Sequence, residues 1–287
     1  MDIEPERALA LVKRPHWGRH LCRHERNARF CDTSGAYYYM DSQGKYRVLQ
    51  GLLPRLRAAY WPHSTYYQML KSARQQRSVD EKKRAPRGKA KASPAPPAPK
   101  GGGRFGGVIR GTQVHRELHD FVRYDNRHFR KTHRRLHAYS SRLLHAIVDR
   151  LKLQPFLPEF GVYDETLGIG TCVDMICLDE EGHLCLLEFK TGYGNDTFTH
   201  ADGLMTRSLS RMPCTVQNQA TLQVTTAAVI LHRRYGIPLE EMRLLVMRVD
   251  EQALEIVPVL ERFVQKLTPV IYQDLLDCNS SSSAGAQ

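Results

Sequence analysis

Gly170–Leu178 reads GTCVDMICL, Asp179–Gly182 reads DEEG, and His183–Lys190 reads HLCLLEFK. The two apolar runs have strand length, and the acidic segment ending in glycine carries turn signals, so a β-hairpin is expected. Glu188 and Lys190 lie two apart on the second strand and leave the same face, while Phe189 points the other way into apolar packing. Asp174 belongs to the first strand, where cross-strand pairing brings it near Glu188. Charges embedded in apolar strands are unusual without a function. Converging carboxylates repel one another unless a cation sits between them, and an oxygen-rich ligand set suits Mg²⁺ or Mn²⁺. A lysine beside such a metal can orient an attacking water or offset charge in a phosphoryl transition state. Read alone, Glu-x-Lys is weak, since it arises about once by chance in a chain of this length. The competing reading is a salt-bridged pair on an exposed strand.

Outward from the hairpin the pattern is regular. A helix is expected over Gly111–Tyr124, with Val114, Leu118, Phe121 and Val122 at helical spacing, and a second over Lys131–Leu153. A strand at Glu159–Tyr163 follows Pro158 and precedes the hairpin. After a polar loop, Gln217–Tyr235 reads as a helix closed by Gly236 and Pro238. Arg243–Val249 reads as a fourth strand, and Gln252–Asp277 as a final helix. The order is helices, three strands, helix, strand, helix, which predicts an α/β fold with a mixed sheet flanked by helices.

The flanking helices carry two further features. Gly111-Thr112-Gln113-Val114-His115 opens the first helix, and Gln219 and Gln223 lie one turn apart on the later one. Taken singly, such residues are most often structural or solvent-facing. Taken in order with Gly170-x-x-x-Asp174 and Glu188-x-Lys190-Thr191-Gly192, they resemble the PD-(D/E)xK nuclease superfamily, most closely its RecB-like and lambda-type exonuclease branch, over about Gly107 to Val249. The resemblance implies a restriction-endonuclease-like core, α-β-β-β-α-β. It also implies a metal site of His115, Asp174, Glu188 and the Phe189 carbonyl, with Lys190 as the catalytic lysine and Gln223, or Gln219 in its stead, as the helix glutamine. Glu159 falls where lambda-type members place an extra acid. The cofactor implied is Mg²⁺, with Mn²⁺ as substitute. The activity implied is metal-dependent DNA hydrolysis, by an exonuclease of replication, recombination or repair that acts on single strands or duplex ends beside other proteins of those processes. The sequence departs from the family where Ala227 stands four residues after Gln223, a position that is often Tyr. Cys278 alone follows the core, so no iron–sulfur cluster is expected. No GxxxxGK[ST] occurs, which excludes a P-loop motor, and the His115–His119 pair lacks the helix Glu of a zinc protease. Two rival readings stand beside the nuclease: a catalytically inactive nucleic-acid-binding module of the same fold, and a protein-interaction scaffold with a basic tail.

Charge divides the chain. Residues 1–107 hold 22 Lys+Arg against 8 Asp+Glu, whereas residues 151–287 hold 10 against 18, within a formal net charge of +12. A basic half favours an anionic partner, and Arg110, Arg116, Arg123 and Arg127 are candidates for phosphate contact. Residues 80–107, rich in Pro, Ala, Gly and Lys, read as a disordered linker. Their Lys82, Lys83, Arg84, Arg87, Lys89 and Lys91 suit a nuclear-targeting patch, a nucleic-acid patch or plain solubilisation equally. The chain then divides into a basic region 1–79, that linker, a nuclease-like domain 108–278 and a disordered tail 279–287. In the first region, short helical stretches are expected around Pro5–Val12 and Lys45–Tyr60, and Tyr37-Tyr38-Tyr39, Tyr60-Trp61 and Tyr66-Tyr67 among arginines suit either base stacking or a packed subdomain. His16, His20, Cys22, His24 and Cys31 match no common zinc finger. Seven irregularly spaced cysteines argue for a reducing intracellular compartment, nuclear or organellar. The acids of MDIEPER argue against a secretory signal or transit peptide, and no apolar run reaches membrane-spanning length.

Overall fold

Both halves of the 170–190 stretch form strands, Ile169–Leu178 and Leu184–Thr191, with Met175 opposite Leu187 and Leu178 opposite Leu184. Between them the Asp179 carboxylate accepts the N–H groups of Glu181 and His183, and Gly182 takes a left-handed φ of 88° that glycine adopts without strain. The computed structural model describes residues 28–31, 36–41, 43–61, 104–123, 136–194, 198–201 and 203–283. Numbered in chain order, the hairpin strands are β5 and β6. Before them come β1 (Ala28–Cys31), β2 (Ala36–Met40), β3 (Tyr46–Gly51), α1 (Leu52–Tyr60), α2 (Arg104–Arg123), α3 (Ala138–Leu144) and β4 (Gln154–Asp164). After them come α4 (Val216–Tyr235), β7 (Met242–Val249), β8 (Leu254–Val259) and α5 (Glu261–Ser283).

The described strands make one mixed sheet. β5 pairs antiparallel with β4 along its length. On its other edge it pairs with β6 over its C-terminal half and with β3, in parallel, at Ile169 and Gly170. β7 runs parallel to β6, which requires the crossover that α4 supplies, and β8 closes the far edge antiparallel to β7. Helices cover both faces, so β5 and β6 are almost wholly buried and read as continuous apolar runs. One apolar cluster gathers Phe160, Ile176, Leu186 and Val246 with α1, α4 and α5. The other gathers Met175, Leu187, Phe189 and Met247 with Val114 and Leu118 of α2 and Leu143 of α3.

Several boundaries differ from the sequence expectation. The strand expected at Glu159–Tyr163 begins at Gln154; Pro155 and Pro158 are accommodated because β4 is paired on one side by β5. The final segment is a strand, β8, followed by α5, not one helix from Gln252: the β-branched run Ile256-Val257-Pro258-Val259 pairs with β7 at the sheet edge, where proline is tolerated. α2 starts at Arg104, inside the expected linker. The second helix is shorter than Lys131–Leu153: α3 begins at Ala138 and runs on as a π-helical segment to Arg150. Lys45–Tyr60 splits at Gly51 into β3 and α1, and Tyr60 and Trp61 are buried in the first cluster. The expected helix at Pro5–Val12, the candidate ligands His16, His20, Cys22 and His24, and residues 62–103 lie outside the described residues, as do Arg127 and residues 284–287. No helix among the described residues is long and apolar enough to cross a membrane.

Candidate functional site

The β5–β6 ladder ends at Met175 and Leu187, and one further step in that register sets Asp174 opposite Glu188. There the strands part. The Asp174 carboxylate takes the place of a ladder acceptor, receiving the Phe189 N–H at 2.6 Å. Strand alternation also slips here: Leu157 and Phe160 of β4 share one cluster, as do Val173 and Ile176 of β5. Glu159, lying between the paired Pro158 and Phe160, has a φ of 47°, a left-handed conformation that costs a non-glycine residue roughly 1–2 kcal/mol. Strain of this kind persists only where surroundings enforce it, and functional sites are where it collects.

α2 brings the third group. Val114 and Leu118 are buried on its inner face, which fixes the rotation that aims His115 at the fork. Its Nδ1 lies 2.7 Å from Glu159 Oε1 and 3.6 Å from Asp174 Oδ1, and the ring meets Phe189 edge-on with centroids 6.1 Å apart. The ligand atoms of His115, Glu159 and Asp174 all fall within 4.8 Å of one another. Glycine at 111 lets α2 approach β6: a Cβ there would lie 3.0 Å from Thr191 Oγ1. Gly170 has a parallel reason, because its missing Cβ would lie 2.9 Å from the Cβ of Tyr37.

Glu188, 3% exposed, pairs with Lys190 on the same side of β6, as their spacing requires. It interacts electrostatically with Asp174 and His115, but the compact triad is made with Glu159 in its stead. Charges set the protonation states. Burial opposes the charge of His115, yet Asp174, Glu159 and Glu188 outweigh it and lift its pKa to about 9. Burial, then neighbouring Asp174, pushes Glu188 up to about 8. Burial raises Asp174 as well, against the pull of His115. Burial disfavours the Lys190 ammonium, but Glu188 and Asp174 more than offset this and raise it. Cys172, nearby on β5, is pushed up to about 12 by burial and stays a neutral thiol.

These groups fit a divalent cation. Glu159, Asp174 and Glu188 oppose the Lys190 ammonium, which leaves two negative charges when His115 is neutral. Burial, reinforced by like-charge neighbours, raises the Asp174 and Glu188 carboxyls, the same carboxylates raise His115, and hard oxygen donors with one imidazole suit Mg²⁺ or Mn²⁺.

The remaining candidates divide. Gln219 Oε1 accepts from Arg57 of α1 at 3.3 Å, so its side chain joins two helices. Gln223 Oε1 is buried with no hydrogen-bond partner among the described residues. The Phe189 N–H serves Asp174, and its ring packs in the second cluster. Arg116 and Arg123 are exposed on α2, whose opening turns contain Arg110. His119 Nδ1 lies 3.2 Å from Asp120. Two supporting residues escaped the sequence reading. Buried Glu117 accepts from Gln113 and from the His137 N–H, tying α2 to the start of α3. Arg248, register neighbour of Lys190, is 4% exposed and held by Asp250 and Glu255. Its signal was a charge at the end of the otherwise apolar run Leu244–Met247, the same kind that marks Glu188 and Lys190. A second His/acid group, Asp179, Glu181 and His183, occupies the β5–β6 turn. No protein-family model and no curated protein matches this chain.

Proposed function

We propose that the chain is a divalent-metal-dependent nuclease of the PD-(D/E)xK type, with a restriction-endonuclease-like core, acting on DNA. The observation that carries this reading is the convergence of His115, Glu159 and Asp174 on the sheet fork that also bears Glu188 and Lys190. His115, Glu159 and Asp174, with Glu188 and the Phe189 carbonyl, hold Mg²⁺ or Mn²⁺. When bound, the ion supplies Lewis-acid stabilisation of phosphoryl oxygens and acidifies water. Lys190 orients the attacking water and offsets charge on the phosphate in the transition state. Glu188 keeps the ammonium in place through their ion pair. Asp174, held by the Phe189 N–H, fixes the spacing between the strands. Gln223 offers its unpartnered carbonyl oxygen to the substrate or its water shell. Arg110, Arg116 and Arg123 of α2 contact backbone phosphates along the approach. The order of motifs favours an exonuclease in replication, recombination or repair.

The test is direct. Pure protein is incubated with labelled linear and circular DNA in Mg²⁺, Mn²⁺ or EDTA, beside Lys190→Ala. Degradation of linear DNA that requires metal and is lost in the variant supports an exonuclease, and nicking of circles an endonuclease. Metal-independent binding without cleavage means an inactive module of the same fold, and neither binding nor cleavage sinks the reading.

A further inference from the structure

The backbone after Lys190 is pinned to β7 at two successive points. The Gly192 N–H donates to the Val249 carbonyl at 2.8 Å, and the Tyr193 carbonyl accepts from Arg248 Nη1 at 3.0 Å. Arg248 is itself immobilised, donating to Glu255 and Asp250 while nearly fully buried, with its guanidinium 5.7 Å from the ring centre of buried Phe198. Tyr193 is nevertheless 40% exposed. An exposed tyrosine on a loop is ordinary. One on a doubly clamped backbone, three residues beyond a lysine that is only 15% exposed and ion-paired with Glu188, is not.

We infer that Tyr193 is the platform on which a nucleobase beside the reacting phosphate stacks, so that the substrate presents unpaired nucleotides at the site. This rests on the nuclease reading for the identity of the reacting group. Stacking needs an open π-face, which a base inside a duplex does not offer and an unpaired base does. A tyrosine with fixed backbone has few torsions left to freeze, so little of the stacking energy is lost to ordering. The clamp through Arg248 also couples the platform to the strand position beside Lys190, setting the distance between base and phosphate.

The full chain is titrated by fluorescence anisotropy, in EDTA, with a labelled oligothymidylate and with a blunt DNA hairpin. Tyr193→Ala is expected to weaken single-strand binding about 10-fold, with Tyr193→Phe and Tyr193→Trp within about twofold of the parent and hairpin binding unchanged within about twofold. The Phe and Trp variants keep the test decisive should Ala fail to fold, since a base platform tolerates both. With Mg²⁺, an abasic nucleotide next to the cleaved bond should slow the parent by the same factor and leave Tyr193→Ala unaffected. Equal affinity of Ala variant and parent for the oligothymidylate, equal losses on single strand and hairpin, or a Phe variant as weak as Ala would each overturn the inference. A parent that binds single strands through Tyr193 yet cleaves nothing in Mg²⁺ or Mn²⁺ removes the nuclease reading and leaves the platform standing. A parent that binds no nucleic acid removes both.

Discussion

Two groups of one histidine and two acids mark the two ends of one hairpin, the turn and the fork, and they have opposite characters. Asp179, Glu181 and His183 lie at the turn, where Asp179 accepts two backbone N–H groups and Glu181 is 79% exposed. Water and local hydrogen bonds satisfy this group, and it shapes the turn. His115, Glu159 and Asp174 come from three separate elements and crowd into the fork with Glu188, where bound protons or a cation must offset the carboxylates. One backbone residue is strained to complete them. Proximity of ligand types is thus a poor guide to a site. Burial, unbalanced charge and strain discriminate better.

The largest expected effect breaks the comparison if it fails. Lys190→Ala should lower metal-dependent DNA cleavage on the order of 10²–10³-fold, whereas Asp179→Ala together with His183→Ala should leave it within about twofold. Equal losses at fork and turn would show that the fork has no special chemistry.

Metal binding sharpens the contrast next. Mn²⁺ at about 100 times its dissociation constant stabilises a single-site protein by about 2.7 kcal/mol, roughly 5–10 °C in Tm for a domain of this size. Asp174→Asn should abolish that shift. Asp179→Ala should keep it while lowering the metal-free stability by about 1 kcal/mol through the lost turn hydrogen bonds. A Mn²⁺ shift that survives Asp174→Asn and disappears in Asp179→Ala would reverse the assignment.

The third test is pH. His115 has a folded pKa of about 9 against an ordinary 6.5, so its stabilisation is full below pH 6.5 and lost as pH rises through 9. Glu188, raised from 4.5 to about 8, acts in the same direction, because the folded chain retains a proton that the unfolded chain has released. Metal-free Tm should therefore fall between pH 6.5 and 9, and Mn²⁺ should flatten the decline by replacing those protons. A metal-free Tm that is level across this window would contradict the charge imbalance.

The smallest effect probes the strain. Glu159→Gly removes the penalty at φ 47° but adds backbone freedom to the unfolded chain, so metal-free stability should change by less than about 1 kcal/mol while Mn²⁺ affinity drops. A loss of several kcal/mol would instead make Glu159 a structural anchor.

The hairpin and the helices around it were legible because their signals are local: periodicity in α2 and α4, a glycine cap at Gly236, a turn with Asp179 and Gly182. The pairing of Asp174 with Glu188 followed from register. Glu159 was visible only through family resemblance, since its approach to His115 depends on a backbone kink that no residue pattern announces. β3 was hidden because it meets β5 at only Gln50 and Gly51, a long-range parallel contact with no local trace. β8 was hidden by Pro258, which reads as a breaker until an edge position excuses it.

That short β3–β5 junction bears on how the protein can be cut. The motif-bearing stretch from Gly107 onward resembles a self-contained unit in the sequence, yet α1 follows β3 directly and inserts Leu52, Leu56, Ala59, Tyr60 and Trp61 into the cluster beneath α4 and α5. A fragment excised at Arg104 would uncover that apolar surface and strip Tyr37 from Gly170 and Arg57 from Gln219. The smallest transplantable unit therefore begins upstream of β2.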